Sequence, residues 1–210
     1  MSFARSFAQA APVGVRVADT PEDLNMIDRP DCAAAIWRRQ TPPAVQSWID
    51  ELSGAQLPVA RQVLQPGMVR DAIGQACKTA QTPHTPERDH LIEDIAALAE
   101  MFARRMRATS LQIRLERVTT NACRKFHIDR LSARLICTYR GTGTQYGTSV
   151  NGSEPNRVFT VPTGCPVVLR GSLWPEHPAS RLLHRSPPID ATGETRLVLV
   201  LDPITNPQQA

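Results

Sequence analysis

Three side chains in the second half of the chain have the chemistry of a divalent-metal site. His127 and Asp129 are separated by one residue, and His184 follows later in the sequence. Two imidazoles and one carboxylate can cap one face of an octahedral ion and leave three coordination positions open. A chelating co-substrate and dioxygen can fill those positions, which is the usual arrangement in non-haem Fe(II) oxygenases.

The spacing of His127 and Asp129 fits a β-strand. Residues i and i+2 of a strand point to the same side of a sheet, so both side chains can reach one ion. The third ligand then has to come from a neighbouring strand or loop. The triplet His-x-Asp alone is common by chance, and a strand histidine bonded to Asp129 would also explain it. The later His184, followed by an arginine at the head of an apolar run, strengthens the metal interpretation.

That arginine is Arg196, which precedes the apolar residues 197–201. A guanidinium group pairs with a carboxylate through two parallel hydrogen bonds. A charged side chain that faces an apolar interior is unfavourable unless it is paired. We therefore expect Arg196 to hold a carboxylate in the cavity that contains the metal ligands, and the ordinary alternative is a salt bridge at a strand end.

The composition is that of a globular protein. The chain has 210 residues, of which 41% are hydrophobic and 21% are charged, and its formal net charge is +4. No apolar stretch approaches the ~20 residues that a bilayer span needs, so we expect no membrane insertion. Basic residues cluster at 104–107 and within 114–125. Such runs are more often solvated helix ends or faces than nucleic-acid surfaces.

The five cysteines argue for a reducing compartment. Their number is odd, their spacing is wide and no Cys-x-x-Cys occurs, which disfavours both a disulfide framework and a thiolate zinc site. Small buried core residues are the simplest interpretation. We expect a cytoplasmic location, and the oligomeric state stays open.

The hydrophobic period changes from helical to alternating near Arg107. Helices are predicted from Thr41 to Gly54, from Met68 to Thr79 and from Thr85 to Met106. Alternating and short apolar runs separated by Gly and Pro predict strands afterwards. The predicted strand segments are 111–115, 125–129, 133–139, 157–161, 165–169 and 196–201.

These elements predict an α+β fold. Short strands without intervening helices favour an antiparallel double-stranded β-helix, or jelly roll, with the N-terminal helices packed on one sheet. We expect residues 1–27 to be a loosely ordered N-terminal segment and residues 28–107 to be a helical part. Residues 108–210 are expected to form a jelly-roll metal-binding domain that makes one compact unit with 28–107.

The second half of the chain resembles the double-stranded β-helix of the 2-oxoglutarate/Fe(II)-dependent dioxygenase superfamily. The segments that carry this resemblance are Phe126–Asp129, Arg134–Gly141, Val161–Leu169, His184 and Arg196. The whole chain is more similar to an uncharacterised bacterial family filed as a domain of unknown function, through Ala35–Arg39 and Lys125–Thr144. That second resemblance implies an association with zinc supply.

The superfamily resemblance assigns roles to individual residues. It implies that His127, Asp129 and His184 bind Fe(II) and are the catalytic residues. It also implies that Arg196 holds the far carboxylate of 2-oxoglutarate. A competing distal ligand is His177, and we favour His184 because its separation from Arg196 fits the pattern better.

One departure from the superfamily pattern affects the co-substrate. Many members have a serine two residues after the arginine, and this chain has Val198. The far carboxylate would then need another hydroxyl, and we expect Tyr139 or Thr138 to supply it. Trp174 and Tyr146 are candidates for a pocket wall.

Three functional hypotheses follow. The first is an Fe(II)/2-oxoglutarate-dependent oxygenase, a hydroxylase of a polar or anionic small molecule or peptide, because Arg124, Lys125 and Arg130 flank the site. The second is a non-catalytic jelly-roll protein that binds a metal, with zinc in place of iron, since divalent-metal affinity makes zinc occupancy easy. The third is an interaction module with a vestigial site.

Overall fold

The computed structural model describes residues 12–149, 153–175 and 181–204. The helices within these ranges are α1 (Pro43–Glu51), α2 (Val69–Thr79) and α3 (Pro86–Met106). The strands are β1 (Val15–Ala18), β2 (Ala34–Trp37), β3 (Ala60–Leu64), β4 (Ser110–Val118), β5 (Ala133–Arg140), β6 (Gln145–Thr148), β7 (Phe159–Thr160), β8 (Val167–Arg170), β9 (Leu182–Arg185) and β10 (Arg196–Ile204). Short 3-10 helices occupy Glu22–Asp28, Gly54–Gln56 and Pro66–Met68.

The three helices predicted from the sequence are present, and their ends have local causes. Helix α3 begins after Thr85, whose hydroxyl accepts a hydrogen bond from the backbone N–H of Arg88, as a helix N-cap does. It ends at Met106, and the following residue, Arg107, adopts a left-handed conformation. The apolar stripe of α3, from Leu91 to Phe102, is buried. This stripe packs with the other helices against one face of the larger sheet.

The larger sheet has seven strands in the order β1-β2-β8-β5-β10-β4-β3. Only the β1–β2 pair among them is parallel, and strand β10 pairs antiparallel with both β4 and β5. Successive residues of β10 alternate between the two faces, as they do in any strand. Leu197 and Leu199 pack with the helices, whereas Val198 and Val200 face the opposite side.

The smaller sheet lies across that opposite side. It has three antiparallel strands in the order β7-β6-β9. Tyr146 of β6 and Leu182 of β9 share a buried apolar cluster with Ile136, Val198 and Val200 of the larger sheet. The buried region between the two sheets, which we call the inter-sheet cavity, is therefore apolar.

Several elements differ from the sequence expectation. Residues 15–27, expected to be loosely ordered, provide β1 and most of a 3-10 helix whose Leu24 and Ile27 are buried. Residues 1–11 lie outside the described residues. Strands β2 and β3 interrupt the part expected to be helical, and both are too short to show a period. Segment 125–129 is not a strand, because only His127 forms a bridge.

The described part of the chain contains no helix that is both long and apolar enough to cross a membrane.

Candidate metal centre

Three side chains named from the sequence meet at one margin of the inter-sheet cavity. One nitrogen or oxygen atom of each of His127, Asp129 and His184 lies within 4.8 Å of the others. The Nε2 atom of His184 is 3.1 Å from Oδ2 of Asp129, and Nε2 of His127 is 3.6 Å from Oδ1. These separations allow the three residues to share one ion after small adjustments, since metal–ligand distances are about 2 Å.

His127 is held by a backbone bridge to β9. Its N–H donates to the carbonyl oxygen of His184, and the N–H of His184 donates in return, both at 3.0 Å. This bridge extends the smaller sheet by one residue and sets the two imidazole centroids 4.5 Å apart. The Nδ1 atom of His127 is 2.9 Å from the carbonyl oxygen of Lys125. Donation of a proton from Nδ1 leaves the Nε2 lone pair free, which is the usual way a metal-bound histidine is oriented.

His184 is the deepest of the three residues, with 6% of its surface exposed. It lies on β9 directly opposite Tyr146 of β6, so both side chains point into the cavity. Burial lowers the pKa of His184, although Asp129 opposes this shift. The neutral imidazole is therefore favoured, and that is the form that binds metals.

Asp129 sits in the loop between β4 and β5, and that loop is packed tightly against the end of β8. The N–H of Ser172 donates to the carbonyl oxygen of Asp129 at 2.8 Å. A Cβ atom at Gly171 would lie 2.0 Å from the carbonyl oxygen of Leu131 and 2.9 Å from that of Asp129. Only glycine permits this approach, so Gly171 fixes the backbone that carries the carboxylate.

The carboxylate of Asp129 is well suited to a cation. Burial raises its pKa, but the neighbouring imidazoles of His127 and His184 and the charge of Arg134 outweigh burial and hold that pKa far below the usual range. Its Oδ2 atom is buried and accepts no hydrogen bond of good geometry from the residues that the structure describes, although His184 Nε2 is 3.1 Å away. A buried anionic oxygen without such a bond is unfavourable unless an ion satisfies it. The donor set therefore fits a divalent metal.

Arg196 lies on the same face of the larger sheet as Val198, with 1% of its surface exposed. Its Nε donates to the carbonyl oxygen of Thr142 at 2.6 Å, and one terminal nitrogen is 3.5 Å from the hydroxyl of Thr138. Glu194, the nearest acidic group, bonds to the N–H and hydroxyl of Thr142 instead. Burial lowers the pKa of Arg196 to about 10, partly offset by Glu194. Within the described ranges this buried cation forms no ion pair, which suits an anionic ligand.

The hydroxyls of Thr138 and Tyr139, the two expected partners of the far carboxylate, lie on opposite faces of the larger sheet. Thr138 is buried beside Arg196 and can contribute to the same anion site. The expectation for Tyr139 is wrong, because its hydroxyl donates to Asp94 of α3 at 2.6 Å on the helix side of the sheet. Adjacent strand residues point to opposite faces, so only one of the pair can enter the cavity.

Three other residues were named from the sequence as a competing ligand or as pocket walls, and in the described part of the chain only one of them is found beside the candidate ligands. His177, the competing ligand, lies outside the described residues. Tyr146 is buried opposite His184 and stacks on Phe159, as a pocket wall would. Trp174 packs at the edge of the helix-side core with Arg170 over its ring, so it does not line this cavity.

Sequence reasoning missed Arg134 and Asp202. Arg134 donates to Oδ1 of Asp129 at 2.5 Å and to both oxygens of Asp202 at 2.6 and 2.8 Å. Both are charged residues whose side chains lie on the inner face of the larger sheet, in the largely buried strands β5 and β10. That pattern could have identified them, because charges at such positions are rare unless they are paired.

The fold is shared with two plant enzymes. The structure of dioxygenase for auxin oxidation 1 from Arabidopsis thaliana, a binary complex with 2-oxoglutarate, has a TM-score of 0.54 and 9% identity, covering 94% of each chain. The rice dioxygenase for auxin oxidation has a TM-score of 0.52 and 14% identity, covering 94% of this chain and 84% of that one. This likeness shows the fold: mixed α/β with a large antiparallel sheet, as in these oxygenases.

Among curated proteins, none matches this chain in sequence. One family, described as a protein of unknown function (DUF1826), matches residues 18–202. The matched region contains both histidines and the aspartate of the candidate metal centre, together with Arg196. The chain therefore belongs to the DUF1826 family.

Proposed function

We propose that this protein is a non-haem Fe(II)/2-oxoglutarate-dependent oxygenase that hydroxylates a polar or anionic substrate. Two features on the inner side of the larger sheet support this proposal. One is the cluster of His127, Asp129 and His184. The other is Arg196, a buried cation without an ion pair among the described residues. Binding of 2-oxoglutarate by such an enzyme needs both features. A metal binds the 2-oxo acid group, and a cation binds the far carboxylate of the same molecule.

The strand order supports the double-stranded β-helix interpretation. In the larger sheet, β8, β5, β10 and β4 are consecutive antiparallel neighbours. In the smaller sheet, β7, β6 and β9 are followed by the bridge at His127. After β4 the chain passes back and forth between the two sheets, with β6 and β7 as a pair within the smaller sheet, and this order supports a jelly roll.

Each residue of the site has a defined task in this proposal. Nε2 of His127, Nε2 of His184 and Oδ2 of Asp129 would hold Fe(II). When bound, the iron supplies the one-electron chemistry with dioxygen that side chains cannot perform. Arg196 and Thr138 would bind and orient the far carboxylate of 2-oxoglutarate, and the apolar walls of the cavity would exclude water.

Strand β5 of the larger sheet sets the distance between the metal ligands and the proposed carboxylate site at Arg196. Arg134, Ile136 and Thr138 lie on the inner face of β5, because residues two apart share a face. The Cα atoms of Arg134 and Thr138 are about 13 Å apart at ~3.3 Å per residue. Arg134 contacts the metal ligand Asp129, whereas Thr138 contacts Arg196. The two ends of the co-substrate would therefore be recognised by residues of a single rigid strand and its neighbours.

The substrate preference rests on charge around the site. Arg124, Lys125 and Arg130 flank the ligand loop and are exposed. A basic margin attracts anionic or polar molecules. We therefore propose a small molecule or a peptide with negative charge as the substrate.

Conversion of 2-oxoglutarate to succinate tests the proposed function. Protein loaded with Fe(II) under anaerobic conditions is mixed with 2-oxoglutarate and oxygenated buffer, and succinate is measured by mass spectrometry. We expect succinate from the wild type and none from Asp129→Ala. The matched control is Asp190→Ala, which removes an exposed aspartate outside the site. Absence of succinate from iron-loaded wild type contradicts the oxygenase proposal.

A non-catalytic metal-binding function is the second candidate. The specific observation in its favour is the ligand set, because two histidines and one carboxylate also bind zinc with an open position. This candidate predicts tight zinc binding that is lost in His127→Ala, with no binding of 2-oxoglutarate to the loaded protein. Calorimetry with Zn(II), followed by 2-oxoglutarate, distinguishes the two candidates.

A further inference from the structure

Arg134 connects two carboxylates at the metal-ligand end of the cavity. Its Nη1 donates to Oδ1 of Asp129 at 2.5 Å, and its Nε and Nη2 donate to Asp202 at 2.6 and 2.8 Å. The side chains of Arg134, Asp129 and Asp202 are 16%, 12% and 10% exposed. Two parallel hydrogen bonds to Asp202 of β10 thus fix the orientation of the guanidinium. The remaining terminal nitrogen then points at the carboxylate of Asp129.

This contact makes the two oxygens of Asp129 unequal. Oδ1 accepts from Arg134 and lies 3.6 Å from Nε2 of His127, whereas Oδ2 lies 3.1 Å from Nε2 of His184 and accepts no hydrogen bond of good geometry from the described residues. A charge-assisted bond between a guanidinium and a carboxylate is short and directional. Rotation of the carboxylate that moved Oδ1 onto the metal would bend or lengthen this bond, which makes that orientation less favourable.

We propose that Arg134, anchored by Asp202, is a positioning residue that limits Asp129 to coordination through Oδ2 alone. One oxygen from Asp129 and one nitrogen from each histidine would then occupy three positions of an octahedral ion. The other three positions then stay open for 2-oxoglutarate and dioxygen. This inference rests on the metal site of the proposed function, and it concerns how that site keeps its open positions.

A neighbouring arginine provides a matched control. Arg114 donates to Oδ2 of Asp202 at 3.0 Å and belongs to the same charged network. It forms no contact with Asp129 among the bonds of the described residues. Replacing Arg114 therefore removes the same charge from the network without freeing the ligand carboxylate.

The experiment counts the exchangeable water molecules on bound Mn(II), by relaxation of water nuclei, in the wild type, Arg134→Met and Arg114→Met. Mn(II) prefers six coordination and needs no co-substrate, so no turnover is involved. We expect three waters in the wild type and in Arg114→Met. We expect two in Arg134→Met, because the freed carboxylate of Asp129 then binds through both oxygens. Arg134→Gln, which keeps a polar group in the same space, is expected to behave like Arg134→Met and serves if the methionine variant does not fold.

Three results would overturn this role of Arg134. The first is two waters in the wild type, which means that Asp129 already binds through both oxygens. The second is three waters in both Arg134 variants, and the third is an equal loss in Arg114→Met. Failure of the proposed function looks different: the wild type and variants show the expected water counts, but 2-oxoglutarate displaces no water from the wild type.

Discussion

Replacement of Arg196 by methionine should maintain or slightly raise the free energy of unfolding and weaken co-substrate binding in the same variant. Arg196 is 1% exposed and has only the carbonyl of Thr142 and a long contact to Thr138 as partners. Burial lowers its pKa from the ordinary arginine value to about 10. At ~1.4 kcal/mol per pH unit, this corresponds to on the order of 3 kcal/mol of unfavourable free energy for the charged form in the folded protein.

The methionine variant removes that unfavourable term and loses one hydrogen bond to a charged donor, which is worth about 1.5–3 kcal/mol. Methionine also fills a similar apolar volume. We therefore expect the free energy of unfolding of the metal-free protein to be unchanged or higher by about 1 kcal/mol. The affinity of the metal-loaded protein for 2-oxoglutarate should fall at least tenfold, or roughly 1.4 kcal/mol.

Two assays measure these quantities. Urea denaturation gives the free energy of unfolding, and calorimetry under anaerobic conditions gives the affinity for 2-oxoglutarate in the presence of Fe(II). Arg196→Lys is the control, because lysine keeps the charge but cannot form the forked contact with a carboxylate. The reasoning is refuted if Arg196→Met loses more than about 1 kcal/mol of stability and binds 2-oxoglutarate as the wild type does.

Three further predictions concern a metal ligand, a glycine beside the ligand loop and a tyrosine on the helix side of the sheet. His184→Ala should remove metal binding while the far-UV circular dichroism spectrum stays unchanged, since β9 keeps its backbone pairing. Gly171→Ala should weaken metal binding because the ligand loop must move, whereas Gly67→Ala, with open space around it, should not. Tyr139→Phe should lower the free energy of unfolding by about 1.5–3 kcal/mol through loss of the bond to Asp94, with unchanged affinity for 2-oxoglutarate.

Each of these variants has a contradicting outcome. Full metal affinity in His184→Ala would show that another residue is the third ligand. Equal metal affinity in the two glycine variants would show that the Asp129 loop is not fixed by its contact with β8. A loss of 2-oxoglutarate affinity in Tyr139→Phe would return that hydroxyl to the co-substrate site.

The sequence predicted the helices and the longer strands because their periods extend over enough residues. Helix α3 shows this best, since its stripe from Leu91 to Phe102 is buried as expected. Strands β2 and β3 were missed because four or five residues cannot show a period, and sheet pairing stabilises them more than local preference does. The same pairing orders Val15–Ala18, which has no strong local signal.

The candidate ligands could be found from the sequence because their residue types carry the chemistry. Their surroundings could not be found in this way. Asp202 and Arg134 are distant in the sequence and meet only because β10 pairs with β5. Tyr139 and Thr138 looked equivalent until the face of the strand was known, and that depends on which side the helices cover.

The most direct test of the central claim is a spectroscopic titration of Fe(II)-loaded wild-type protein with 2-oxoglutarate in the absence of oxygen. Chelation of Fe(II) by a 2-oxo acid produces a visible charge-transfer band, whereas succinate, which lacks the oxo group, produces none. We predict that the band grows to a plateau at one equivalent of 2-oxoglutarate and is absent in His184→Ala. Iron-loaded wild-type protein that shows no band at saturating 2-oxoglutarate would contradict the account and favour the non-catalytic metal-binding function.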